Sequence, residues 1–172
     1  MINNPKIVIF SSPIHTGKSS TLEKFSSNRQ DISGILCPEV EGKKAVKFLP
    51  QSDYIFLETT NTRAENTIIV GNYKFDASVM QQISEFISII EIEKWNIIII
   101  DEIGKLELMD RGYEPGLSYF LKNFKESKFQ TLLILVVRDS LVRDVIEKYK
   151  IEHTNIVYTP DDLYRYFTKS LR

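Results

Sequence analysis

Apolar residues run unbroken through Ile7-Val8-Ile9-Phe10, Ile97-Ile98-Ile99-Ile100 and Leu132 to Val137. Runs of this length without alternation suit strands of a sheet covered on both faces. They predict strands over about 6–11, 97–101 and 132–137. A helix is expected from about Gly17, with Leu22 and Phe25 turned inward. Gly34 to Val40, Lys44 to Leu49 and Tyr54 to Leu57 are shorter β-type runs, punctuated by Glu41-Gly42 and by Pro50 to Asp53. They read as an antiparallel insert over about 33–59. Asn61 to Asn66 are polar, and Ile68 to Gly71 suggest a short strand. Asp76 then caps a helix in which Val79, Ile83, Phe86, Ile87 and Ile90 recur at helical spacing. Pro115 opens another, carrying Leu117, Phe120, Leu121 and Phe124. A further helix is predicted over 140–149, capped by Asp139 or Ser140, and a last strand over Ile156-Val157-Tyr158. Thr159-Pro160-Asp161-Asp162 is a strong helix start, with a hydroxyl cap, a first-turn proline and acids at the positive end of the dipole. Leu163, Phe167 and Leu171 form the inner face that follows.

Four β-runs separated mostly by helices predict an α/β fold built on a parallel sheet with right-handed crossovers. A length of 172 residues suits one domain over 1–172 that includes the small antiparallel β insert. A hydrophobic content of 42% and a charged content of 26% are those of a globular protein. The net charge of −1 gives no electrostatic case for nucleic acid as a partner. The single cysteine, Cys37, excludes an internal disulfide and fits a reducing compartment. No apolar run reaches membrane-spanning length, and the first residues lack a signal-peptide core. The expectation is a cytoplasmic protein without membrane partners, its oligomeric state left open with a monomer favoured.

The first strand runs into Ser12-Pro13-Ile14-His15-Thr16-Gly17-Lys18-Ser19. A phosphate loop has the pattern Gly-x-x-x-x-Gly-Lys-[Ser/Thr] because its backbone N–H groups curl around phosphate oxygens. The lysine holds the β- and γ-oxygens and the hydroxyl binds Mg²⁺. Gly17, Lys18 and Ser19 fill the second half of that pattern, and Ser12 stands where the first glycine belongs. His15 either takes part in catalysis or base stacking or simply tolerates an unusual backbone conformation. The candidate nucleotide-binding residues are Ser12, Pro13, Ile14, His15, Thr16, Gly17, Lys18, Ser19 and Ser20.

Asp101 and Glu102 end the run of four isoleucines. In doubly wound sheets ligands sit at the carboxyl edge of the strands. Asp101 is thus suited to hold Mg²⁺ together with the Ser19 hydroxyl, and Glu102 to orient or deprotonate an attacking water. Arg138 ends the third buried run on the same edge. It either reaches the γ-phosphate or pairs with Asp139 at the surface. Lys105 and Glu107 are placed in a loop after the acidic pair, and Trp95 is assigned to packing.

Asp101-Glu102-Ile103-Gly104-Lys105-Leu106-Glu107-Leu108 resembles the Asp-Glu-Ile-Gly-Lys-Met-Glu-Leu signature of the THEP-type small nucleoside-triphosphatases. Gly34 to Val40 is similar to the family's Gly-Phe-x-Thr-x-Glu-Val stretch, and Val70 to Asp76 to its Val-Gly-x-Tyr-x-Val-Asp stretch. The resemblance covers residues 6–137. It implies a three-layer, RecA-like P-loop fold and slow, Mg²⁺-dependent hydrolysis of ATP, GTP and other nucleoside triphosphates. By position, it assigns Gly17, Lys18 and Ser19 to phosphate and Mg²⁺, Asp101 to Mg²⁺ and Glu102 to water, with Glu39 nearby. Ser12 and His15 stand where the family has glycine, Glu41 replaces an arginine, and the basic Asn-Arg segment near the last strand is missing. The competing functions are a nucleoside or nucleotide kinase, for which an arginine-rich lid is lacking, and a nucleotide-binding module without turnover.

Overall fold

The computed structural model describes residues 7–12, 17–60 and 66–169. In chain order the elements are β1 (Ile7–Ser12), α1 (Lys18–Ser26), β2 (Ile32–Leu36), β3 (Glu39–Val40), β4 (Lys43–Leu49), β5 (Tyr54–Phe56), β6 (Thr67–Val70), β7 (Tyr73–Asp76), α2 (Ala77–Ser88), β8 (Ile97–Ile103), α3 (Lys105–Leu108), α4 (Gly116–Glu126), β9 (Leu132–Arg138), α5 (Val142–Tyr149), β10 (Asn155–Val157) and α6 (Pro160–Lys169). One eight-stranded sheet runs in the order β10-β1-β9-β8-β2-β4-β3, with β5 also paired to β4. Neighbours from β10 to β2 are parallel, whereas β2–β4, β3–β4 and β4–β5 are antiparallel. β6 and β7 form a separate hairpin.

Strand alternation explains the three layers. Val8, Phe10, Ile97, Ile99, Leu132, Ile134 and Val136 point to one face, where Leu22 of α1 and Leu163 and Phe167 of α6 cover them. Ile7, Ile9, Ile98, Ile100, Leu133, Leu135 and Val137 point to the other, under α2, α4 and α5. Each central strand therefore has no polar face, which is why its sequence is an unbroken apolar run. Among the described residues, no helix is long and apolar enough to cross a membrane.

Several boundaries differ from expectation. The stretch over 33–59 is antiparallel as expected, β2 pairing with β4 in that sense, but its first strand also belongs to the parallel core. β2 pairs in parallel with β8, Ile32 opposite Ile97 and Ile35 opposite Ile100, and so is a fifth parallel strand of the main sheet. Gly34 permits that fit. Its φ is +119°, and a Cβ there would lie 1.9 Å from the Ile99 carbonyl oxygen. The strand over Ile68 to Gly71 is present as β6, and its partner β7 was not foreseen. The helix expected from 140 starts at Val142, after a 3-10 turn over Asp139–Leu141 in which the Asp139 carboxylate accepts from Ser140 N at 2.8 Å. The last strand ends at Val157, a residue early. Two caps are as expected, the Asp76 carboxylate accepting from Ser78 N at 2.8 Å and Thr159 Oγ1 accepting from Asp162 N at 3.2 Å, whereas α5 follows Leu141 with no side-chain cap from Asp139 or Ser140. Asn61 to Ala64 and Glu65, like Leu171, lie outside the described residues.

Candidate active site

A β-bulge builds the acidic pair. Ile100 pairs with Leu135 and Ile103 with Val137, so β8 carries one residue more than β9 between the same rungs. Glu102 absorbs the extra residue at φ +64°, a left-handed conformation that costs a non-glycine residue about 1–2 kcal/mol. The bulge turns two consecutive carboxylates to different environments. Asp101 is buried and Glu102 is exposed.

Asp101 Oδ2 accepts from Ser19 Oγ at 2.8 Å and from Cys37 N at 2.9 Å. Three elements thus converge on one oxygen: α1, β8 and the chain leaving β2. Burial, with the neighbouring Glu102 charge, pushes the Asp101 carboxyl up to about 6, against the pull of the two hydrogen bonds. Gly17 caps α1 at φ +76° in open space, so the turn into the helix needs glycine for its backbone conformation rather than for room. Lys18 follows as the first helical residue. Burial lowers its pKa, opposed by Asp101, Asp139 and Glu102.

β9 lies between β1 and β8, so β1 and the strand that carries Asp101 are separated by one strand. The intervening strand ends in Arg138, opposite Ser12 in the register with β1. Gly17, Lys18, Ser19, Ser20, Asp101, Glu102 and Arg138 all line one cavity of about 420 Å³. Glu39 and Lys105 line it too, and Val70, Tyr73 and Phe75 of the β6–β7 hairpin form its apolar wall. The structure thus brings together every candidate from Gly17 onward. Pro13, Ile14, His15 and Thr16 lie outside the described residues, and of Ser12 only the backbone is described, at the end of β1.

Sequence reasoning missed several contributors. Lys44 of β4 reaches across to Glu102, Nζ to Oε1 at 2.7 Å. Burial lowers the Lys44 pKa, but attraction to Glu102 and the hydrogen bond to it raise it by more, and the net shift is upward. Residues 105–108 are the short helix α3 and not a loop. Glu107 is buried there and accepts from Gly104 N at 2.8 Å and Tyr113 N at 3.1 Å, fixing the chain just after Glu102. Tyr113 is itself buried, its hydroxyl 3.1 Å from Cys37 Sγ. The Glu-x-x-x-x-x-Tyr spacing carries no signal of these contacts. Gly104 with Glu107 three residues on supplies only the glutamate half of a capping box, since glycine has no side chain to complete it, so the helix start is weakly marked in the sequence.

The sheet, with its first strand turning into a helix at Gly17-Lys18-Ser19, is that of a P-loop nucleoside-triphosphatase. The chain belongs to the NTPase family, whose sequence model matches residues 7–161. Among solved structures, the crystal structure of THEP1 from the hyperthermophile Aquifex aeolicus has the same fold, with a TM-score of 0.66 at 16% identity over 91% of each chain. No curated protein matches the sequence significantly. The resemblance to the THEP-type family therefore holds, and the protein is a nucleotide-binding hydrolase, a nucleoside-triphosphatase.

Proposed function

We propose that the protein hydrolyses ATP, GTP and other nucleoside triphosphates to diphosphate and phosphate, slowly and with Mg²⁺, as a cytoplasmic monomer of one domain. The observation that carries this reading is the 2.8 Å bond between Ser19 Oγ and the buried Asp101 carboxylate, with Glu102 next in the chain. A hydroxyl and a carboxylate at hydrogen-bond distance are a hard, all-oxygen pair. That donor set fits Mg²⁺, which takes few protein ligands and completes its shell with water and phosphate. Ser19 and Asp101 would hold the ion, which supplies neutralisation of phosphate charge when bound.

The remaining roles follow from position. The N–H groups at the start of α1 and the Lys18 ammonium bind the phosphate oxygens. Glu102 accepts the proton of the attacking water as its oxygen bonds to the γ-phosphorus. The bond from the γ-phosphorus to the β,γ-bridging oxygen breaks, and the nucleoside diphosphate leaves with that oxygen. Arg138 takes up charge on the γ-phosphoryl oxygens.

Purified protein with ATP, GTP or CTP, with Mg²⁺ or EDTA, and with and without an added nucleoside tests this. Free phosphate released only with Mg²⁺ is expected, at a rate indifferent to the nucleoside. Phosphorylated nucleoside, or binding without product, would replace the hydrolase reading with a kinase or a regulatory module.

A further inference from the structure

The bulge that exposes Glu102 leaves its carboxylate on three rotatable side-chain bonds at a cavity wall, with 44% of the side chain exposed. A general base needs a defined position, because small displacements from the reacting atoms are costly in rate. Within the described residues, the contact that restrains Glu102 comes from a different part of the sheet. Lys44 is rigidly placed on β4. Its carbonyl oxygen accepts from Leu57 N at 2.9 Å and from Glu58 N at 3.0 Å, and its own N donates to Glu58 Oε2 at 3.1 Å. From this anchored backbone the side chain, 20% exposed, lies along the cavity wall and places Nζ 2.7 Å from Glu102 Oε1.

With Glu102 half-exposed, a single ion pair of this kind contributes about 1 kcal/mol at most to folding, so stability alone does not account for it. We propose that Lys44 is the positioning residue for the hydrolytic carboxylate, holding Glu102 over the water site from the antiparallel edge of the sheet. The inference rests on the reading of Glu102 as general base. It gives β3, β4 and β5, which the parallel core does not require, a part in the reaction. Lys44 acts through Oε1 and leaves Oε2 of Glu102 to take the proton.

The test measures kcat and KM for ATP with Mg²⁺ in Lys44→Met, Lys44→Arg, Glu102→Gln and the Lys44→Met/Glu102→Gln double variant. Removing the tether should lower kcat about tenfold or more while KM stays within about twofold. Lys44→Arg, which keeps the charge and reach, should restore most of the loss. The double variant should be no slower than Glu102→Gln alone, since two residues acting as a unit do not add. A rise in KM at constant kcat, or a further slowing in the double variant, would show Lys44 acting on the nucleotide directly and overturn the proposal. Should Lys44→Met fail to fold by circular dichroism, Lys44→Gln and the arginine variant decide the same comparison. Wild-type turnover in Glu102→Gln would remove the general base and the proposal with it. A slow Glu102→Gln beside an unimpaired Lys44→Met would sink the proposal alone.

Discussion

Asp101→Asn should make the nucleotide-free protein more stable at neutral pH while abolishing its Mg²⁺-triphosphate binding. The carboxyl is buried and its pKa rises from 3.8 to about 6, so above that pH the folded state holds a charge it disfavours. Two units at about 1.36 kcal/mol each make a penalty of about 3 kcal/mol. The amide oxygen can still accept from Cys37 N and Ser19 Oγ, but the new NH₂ enters a buried position at a cost of about 1 kcal/mol. The net gain at pH 7.5 is about 2 kcal/mol. The sign follows from the raised folded pKa. The charge penalty is absent below 3.8, grows through the window between 3.8 and about 6, and is complete above it. At pH 4.5 it has fallen to about 1 kcal/mol, which the amide cost cancels. Urea unfolding in EDTA at both pH values measures the difference, and calorimetry with Mg²⁺ and ATP measures the lost binding. An asparagine variant less stable by the same amount at both pH values would refute the argument, since burial of charge could not then be the destabilising cause.

Lys18→Ala should weaken triphosphate binding by at least about tenfold in calorimetry with an unchanged far-ultraviolet circular-dichroism spectrum, because Lys18 lines the cavity and is not part of the apolar core. Glu102→Gln should retain ATP and Mg²⁺ binding but release phosphate about 10²-fold more slowly or worse. Its tie to Lys44 is half-exposed, so the variant should lose no more than about 1 kcal/mol of stability in urea. Gly34→Ala should cost at least about 3 kcal/mol and yield little soluble protein, since the methyl group meets the Ile99 carbonyl oxygen at 1.9 Å and the backbone is held at φ +119°. A wild-type urea midpoint for that variant would mean that β2 does not sit against β8 as described.

The sequence by itself determined the parallel core and the chemistry at its edge. Ile97 to Ile100 and Leu132 to Val137 are apolar on both faces, and only a sheet covered twice accommodates such runs. Asp101-Glu102 follows the isoleucine run directly, and Gly17-Lys18-Ser19 comes shortly after the run Ile7 to Phe10 in the chain, so local order already placed both beyond the ends of core strands. Only the tertiary structure decided how the edge is shared. β2 joins the parallel sheet although its short run and flanking turns read like its antiparallel neighbours, because pairing direction is set by the crossover and by the partner strand, neither of which is local. The bulge at Glu102 appears only when β8 is laid against β9, since a bulge is a mismatch between two strands and has no signature in one. For the same reason Lys44, distant from Glu102 in sequence, shows no sign of its partner until β4 is placed in the sheet. Single-chain patterns report which face a residue buries. Hydrogen bonds between side chains distant in sequence, such as Ser19 to Asp101 or Lys44 to Glu102, depend on where two separately formed elements meet.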